Sequence, residues 1–124
     1  MSFEDVGVGF VQHYYNFFAN QRDQLAGIYR PNTLLTWQKE QVQGVDAIMA
    51  RFANLGFTEA AFKQDSIDCQ PSMSGGVIVI VNGEVKLRGE EHSLKFNDFF
   101  HLAQDNGQWY VSNQVFNLVG GGGL

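Results

Sequence analysis

Between Ser2 and Asn20 apolar side chains return at three- and four-residue steps. Phe3, Val6, Phe10, Tyr14 and Phe17 form one stripe, and Val8, Val11, Tyr15 and Phe18 form a second beside it. Only a narrow seam of Asp5, Gly9, Gln12, Asn16 and Asn20 is left for water. A helix apolar over most of its circumference must be wrapped by other structure. Ser2 followed by Asp5 fits a cap on the first turn. Gly7 and Gly9 are poor helix formers, which points to a close backbone approach or an irregular first turn.

The pattern then shortens. Leu25, Ile28 and Tyr29 give Arg22–Tyr29 one small apolar face, a short second helix ended by Pro31-Asn32. Leu34–Trp37 reads as a strand, with Lys39-Glu40 turning the chain into Gln41-Val42. Val45, Ile48, Met49, Phe52 and Leu55 restore the helical period until Asn54 and Gly56 stop it. The second half is different: 60–70, 76–87, 94–104 and 108–119 are four long strand candidates. Turn chemistry separates them, with Asp105-Asn106-Gly107 the strongest hairpin signal. Helices followed by long antiparallel strands predict an α+β fold with the helices on one face of a sheet.

That arrangement leaves a face uncovered. Val77–Val81 is apolar on both sides, and 108–119 offers Tyr110, Phe116 and Leu118 on one side, Trp109, Val111 and Val115 on the other. A half-buried strand should alternate cleanly. The simplest second cover is another copy, sheet against sheet across a two-fold axis, which puts Val79, Val111 and Val115 in a homodimer interface.

Composition narrows the function classes. The 124 residues fit one domain, 1–119, followed by a flexible glycine tail at 120–124. A net charge of −5 and no Lys/Arg cluster argue against a nucleic-acid partner and suit a basic protein surface. Cys69 is the single cysteine, so no internal disulfide or cysteine-based metal site is expected, and no apolar run is long enough to cross a membrane. A soluble, intracellular protein is the expectation. His13, His92 and His101 are scattered, without the spacing of a metal site. There is no nucleophile–base pair and no phosphate-binding glycine loop, so no cofactor is expected.

Several separated motifs stand in order along the chain: Phe10-Val11-Gln12-His13-Tyr14-Tyr15, Leu35-Thr36-Trp37, Gln43-Gly44, Asp68-Cys69-Gln70-Pro71, Gly89-Glu90-Glu91-His92, Lys95-Phe96 and Phe116-Asn117-Leu118. With their spacing, residues 3 to 118 resemble the nuclear transport factor 2 family, carriers of GDP-bound Ran. The resemblance implies a cone-like roll of three N-terminal helices and a strongly bent antiparallel sheet wrapped around helix 1, paired as a homodimer. It implies a non-enzymatic carrier found in cytoplasm and nucleus and enriched at the nuclear envelope and pore. It also implies an apolar cavity that accepts an aromatic side chain of Ran, with an acidic rim. The matching positions are Trp37, Leu55, Phe62, Leu94 and Phe116 for the cavity and mouth, and Glu90 and Glu91 for the rim. A second site, at Phe3 beside the start of helix 1, would take Phe-x-Phe-Gly repeats of nucleoporins.

The sequence departs from the family pattern at Gln38, where an acid is common, at Phe62, where His is common, and at Arg88, which precedes the acidic loop. Losing one exposed ion pair costs about 0.2–1 kcal/mol, against roughly 1.5–3 kcal/mol for burying a large apolar side chain. The cavity therefore dominates, and Glu40 is a substitute carboxylate for Gln38. Two other readings compete: a plain dimerisation module, and an enzyme. Related cones, such as ketosteroid isomerase and scytalone dehydratase, use an acid or His for proton transfer. Alternation would point Asp98 inward as such a base, whereas a bulge near Asp98-Phe99 would turn it outward; the outward placement is the expectation.

Overall fold

The computed structural model describes residues 2–57 and 59–120; the glycine tail beyond Gly120 lies outside them. Helix α1, Phe3–Asn20, begins where the pattern places it, with Ser2 Oγ accepting a hydrogen bond from the Asp5 amide at 3.1 Å. Tyr14, Tyr15, Phe18 and Val11 are buried, while Gln12, His13, Asn16 and Asn20 face water. Gly7 is a close approach: a Cβ there would run into Cys69 Sγ and come within 3.0 Å of Val79.

Residues 22–28 form a 3-10 helix rather than an α-helix, and Pro31-Asn32 does not end it, because strand β1 already begins at Tyr29 and runs to Trp37. Proline has no amide to give the ladder, and β1 bulges between Tyr29 and Leu34 to accommodate the interruption. The bulge is closed by Thr33 Oγ1, which accepts from the Arg30 amide at 2.9 Å and donates to the Val111 carbonyl. A two-residue turn, Gln38-Lys39, leads to β2, Glu40–Gln43, and helix α2 follows at Val45–Ala53. The four long strands are β3 Ala60–Pro71, β4 Val77–Leu87, β5 Leu94–Asp105 and β6 Gln108–Leu118. Asn106 and Gly107, at φ 51° and 81°, make the tight β5–β6 hairpin.

The sheet corrects the expected architecture. The fold is α+β, but the six strands lie in the open order β2-β1-β6-β5-β4-β3, and β1 pairs with β6 in parallel, so the sheet is mixed. It is neither strongly curled nor closed, and the strongly bent antiparallel sheet wrapped around helix 1 is not found. The physical reason lies in how the inner face is covered. Helix α1 packs chiefly on β3 and β4, while α2 packs on β1 and β2. Two helices share the covering, so no strand has to curl over α1 to bury its apolar circumference.

Two bulges set which side chains face the helices. One, at Asp65 in β3, leaves Gly83 opposite the Lys63 carbonyl, where a Cβ would collide with that oxygen. The other, at Ser112 in β6, brings Val111 onto the same face as Gln114 and Phe116. Val111 is therefore in the chain's own core, as is Val79, which alternates inward with Val77 and Val81. Neither reaches the outer face where the dimer reading put it. Val115 does, half-buried, among Ile78, Ile80 and Phe99 on the side opposite the helices.

Candidate functional site

Three places on this scaffold carry chemistry. The first is buried. Asp98 points inward and is 1% exposed. The bulge is opposite His101 and Leu102 rather than at Asp98-Phe99, so alternation along β5 is intact through Asp98 and the outward placement is overturned. Tyr15 Oη donates to Asp98 Oδ2 at 2.8 Å, and Gln114 Nε2 donates to Oδ1 at 3.1 Å. Gln114 Nε2 also lies 3.0 Å from Tyr14 Oη, and its Oε1 accepts from Tyr29 Oη at 2.7 Å. Three tyrosines, one amide and one carboxyl thus satisfy each other under α1. Burial pushes the Asp98 carboxyl well above the usual carboxylate range, opposed by its two hydrogen bonds. Burial raises the three phenols as well, so they stay neutral.

A buried polar set of this kind holds side chains in place rather than turning over a substrate, since both carboxyl oxygens are already engaged. Its signature is a pH dependence with a definite sign. The unfolded carboxyl titrates near about 3.9, and the folded one above that. Between the two values the folded state holds the proton more tightly, so stability falls as pH rises and levels off above the folded value. Asp98→Asn removes the titration and keeps the shape. Its melting temperature is expected to exceed wild type at pH 7, with the difference vanishing as pH falls below about 4. A constant difference across that range, measured by thermal melts in a pH series, contradicts the assignment.

The second place is the aromatic end. Trp37 and Phe116, each 1% exposed, stack face to face with centroids 4.0 Å apart and 10° between the rings. Phe18 stacks on Trp37 at 5.6 Å and Phe96 on Phe116 at 5.6 Å. Phe62 is half-buried against Tyr15, Phe18 and Phe96, and Leu94 is half-buried at the start of β5. Beside this layer, a cleft of about 530 Å³ opens between the α2–β3 connection and the β4–β5 turn. Leu55, Phe57 and Leu87 give it apolar walls, and Glu59, Arg88 and Glu90 line it too. Arg88 Nη1 is 3.0 Å from Glu59 Oε2, so its charge is answered within the chain. Arg22 fixes the connection by donating to the Phe57 carbonyl at 2.6 Å and lying 4.7 Å over the Phe57 ring.

The residues named from sequence are thus only partly together. Leu55 and Glu90 share the cleft, and Glu91 is exposed in the same turn. Trp37, Phe62, Leu94 and Phe116 belong to the aromatic layer and its edge. Gln38 sits at the β1–β2 turn, its backbone N–H donating to the Phe116 carbonyl at 2.8 Å, and Glu40 pairs with Arg51 of α2. Phe57, Glu59 and Leu87 were missed. Phe57 follows the Gly56 stop signal and reads as linker, and Leu87 reads as the end of a strand.

The third place is the start of α1. Phe3 is 40% exposed, one turn before Val6 and two before Phe10 on the same stripe. Beyond it, α1 and the β5–β6 turn enclose a cleft of about 830 Å³ lined by Val6, Phe10, Ile28 and Trp109, with Asp5, Gly9, His13, Gln104 and Gly107 around them. Among the described residues no group of three or more His, Cys, Asp or Glu is placed to hold a metal ion.

The family model described as the nuclear transport factor 2 (NTF2) domain matches residues 6–118. The chain belongs to the nuclear transport factor 2 family. It is 41% identical over 115 residues to nuclear transport factor 2B of Arabidopsis thaliana, covering 91% of each chain. It is 40% identical to nuclear transport factor 2 of Dictyostelium discoideum, covering 92% of each. The solved structure of nuclear transport factor 2 from Cryptosporidium parvum superposes with a TM-score of 0.89 at 39% identity, covering 94% of each chain. The family is one of non-catalytic transport factors, and this chain is not an enzyme. Asp98, the residue that most invites an enzymatic reading, is a structural group.

Proposed function

We propose that this chain is a nuclear import carrier for GDP-bound Ran, working between cytoplasm and nucleus with enrichment at the pore. Membership of a family with a general role in nuclear transport supports the reading. The single observation that carries the Ran contact is the cleft beside the aromatic layer. Its walls of Leu55, Phe57 and Leu87 suit one aromatic side chain, and with Glu59 paired to Arg88, Glu90 and Glu91 leave its edge acidic. Trp37, Phe62, Leu94 and Phe116 form the packed layer behind it, and Gln38 and Glu40 are proposed as further contacts from the β1–β2 turn. Burying the aromatic is worth roughly 1.5–3 kcal/mol, and the carboxylates steer a basic partner and fix its orientation. Discrimination between nucleotides lies in Ran, whose switch segment changes conformation with the bound nucleotide. Phe3 is the proposed contact for Phe-x-Phe-Gly nucleoporin repeats.

Immobilised protein is expected to retain Ran loaded with GDP and not Ran loaded with a GTP analogue; equal or absent retention overturns the reading. Glu90→Lys should weaken retention of the GDP form about tenfold, equal to about 1.4 kcal/mol. Phe3→Ala should lower capture of Phe-Gly repeats and leave Ran unaffected. Loss of both would make Phe3 structural.

The homodimer belongs to the same proposal. The outer sheet face carries Ile78, Ile80, Phe99 and Val115, and the helices pack on the other side. Ile80, 43% exposed, is the most accessible of the four. Replacing Ile80 by Glu is expected to give monomers in sedimentation, because a charge at the centre of an apolar contact has no partner there. A persistent dimer would place the interface elsewhere.

A further inference from the structure

The cleft between α1 and the β5–β6 turn is used by neither contact above. We infer that it is a docking site for a short peptide segment in which a bulky apolar side chain is followed within a residue or two by Lys or Arg. Its volume of about 830 Å³ lies in the range of ligand clefts, roughly 300–1,000 Å³. Val6, Phe10 and Ile28, all half-buried, form an apolar floor that suits one large side chain. Charge complementarity selects the neighbour. Asp5 is the cleft's acidic group, exposed on the first turn of α1 beside Glu4, and no Lys or Arg lines the cleft. The half-buried indole of Trp109 lines the same space, and none of the ring pairs found among the described residues involves it. An indole face attracts a cation, most strongly when the cation is Arg or Lys held close to it. A carboxylate and an indole on one apolar cleft therefore favour a positively charged neighbour. That chemistry differs from an uncharged Phe-Gly repeat, so the inference stands apart from the Phe3 contact.

Gly9 supplies the decisive variant. A Cβ at this position would meet nothing within 4 Å, so the fold has room for a larger side chain, and leucine is a better helix former than glycine. Gly9→Leu should therefore keep or raise the melting temperature while obstructing the cleft. The probes are three labelled hexapeptides in a Gly-Ser background carrying Phe-Lys, Phe-Gln or Phe-Glu, read by anisotropy and by the indole N–H signals of Trp37 and Trp109. The expected result is Phe-Lys binding about tenfold tighter than Phe-Gln and Phe-Glu weaker still, with the Trp109 signal moving and the Trp37 signal still. Gly9→Leu should lose binding, and Asp5→Asn should reduce the preference for Phe-Lys over Phe-Gln. Equal binding of the three peptides, a preference for Phe-Glu, an unmoved Trp109 signal, or unchanged binding by Gly9→Leu each overturns the inference.

Discussion

Trp37→Ala is expected to destabilise the protein by about 3–5 kcal/mol, with a fall in melting temperature on the order of 15 °C. Trp37 is 1% exposed and covered on every side by rings: Phe116 stacks on it at 4.0 Å, Phe18 at 5.6 Å, and Phe52 meets it edge-on at 5.5 Å. Truncation loses the burial of a large aromatic and leaves a hollow that the three surrounding rings cannot fill by small shifts. Urea denaturation measures it directly. The midpoint should drop with little change in slope, and a loss below about 1 kcal/mol would mean that the aromatic layer repacks freely. Because the layer backs the proposed Ran cleft, binding should weaken even in conditions where the variant is fully folded.

Gln114→Leu is expected to cost a similar amount, about 3–5 kcal/mol, for a different reason. Gln114 is fully buried and serves three partners: it donates to Asp98 and Tyr14 and accepts from Tyr29. Leucine fills most of the same space, so packing changes little. What is lost is the donor to the buried carboxyl, the donor to the Tyr14 hydroxyl and the acceptor for the Tyr29 hydroxyl, and each group left unpaired costs about 1–3 kcal/mol. The double variant Asp98→Leu with Gln114→Leu should recover part of the loss, because removing both members of a buried polar pair costs less than removing one. A double-mutant cycle by chemical denaturation gives the coupling. Strict additivity would show that the two side chains do not act as a unit.

Much of the site region was legible because it rests on local rules. Ser2 is a cap because its hydroxyl meets an amide three residues on, and Asn106-Gly107 turns because both residues tolerate positive φ. Phe3 reads as continuing the apolar stripe, and it does so with its side chain 40% exposed. Asp98 was harder. Alternation along β5 points it inward, but whether alternation survives depends on where a bulge falls, and the bulge is across the ladder in β6. Val111 fails for the same reason in the other direction: read along its own strand it shares a face with Val115, and the extra residue at Ser112 turns it into the core. The acidic cleft was half visible. Glu90 follows from its loop, but Phe57 and Leu87 come from different elements, and nothing in either segment says that they face each other.

Taken alone, the amino-acid order determined the elements, most of their boundaries to within a few residues (the start of β1, five residues early, excepted), the separation of helices from long strands, and the family. These follow from hydrophobic period, caps and turn residues, each decided within a few positions of chain. Tertiary structure decided the parallel pairing of β1 with β6, the open rather than enclosing sheet, the inward aim of Asp98 and Val111, and the clefts beside Phe57 and Trp109. Each of these depends on two segments meeting, so its energy is a property of a pair and is written in neither segment's own pattern.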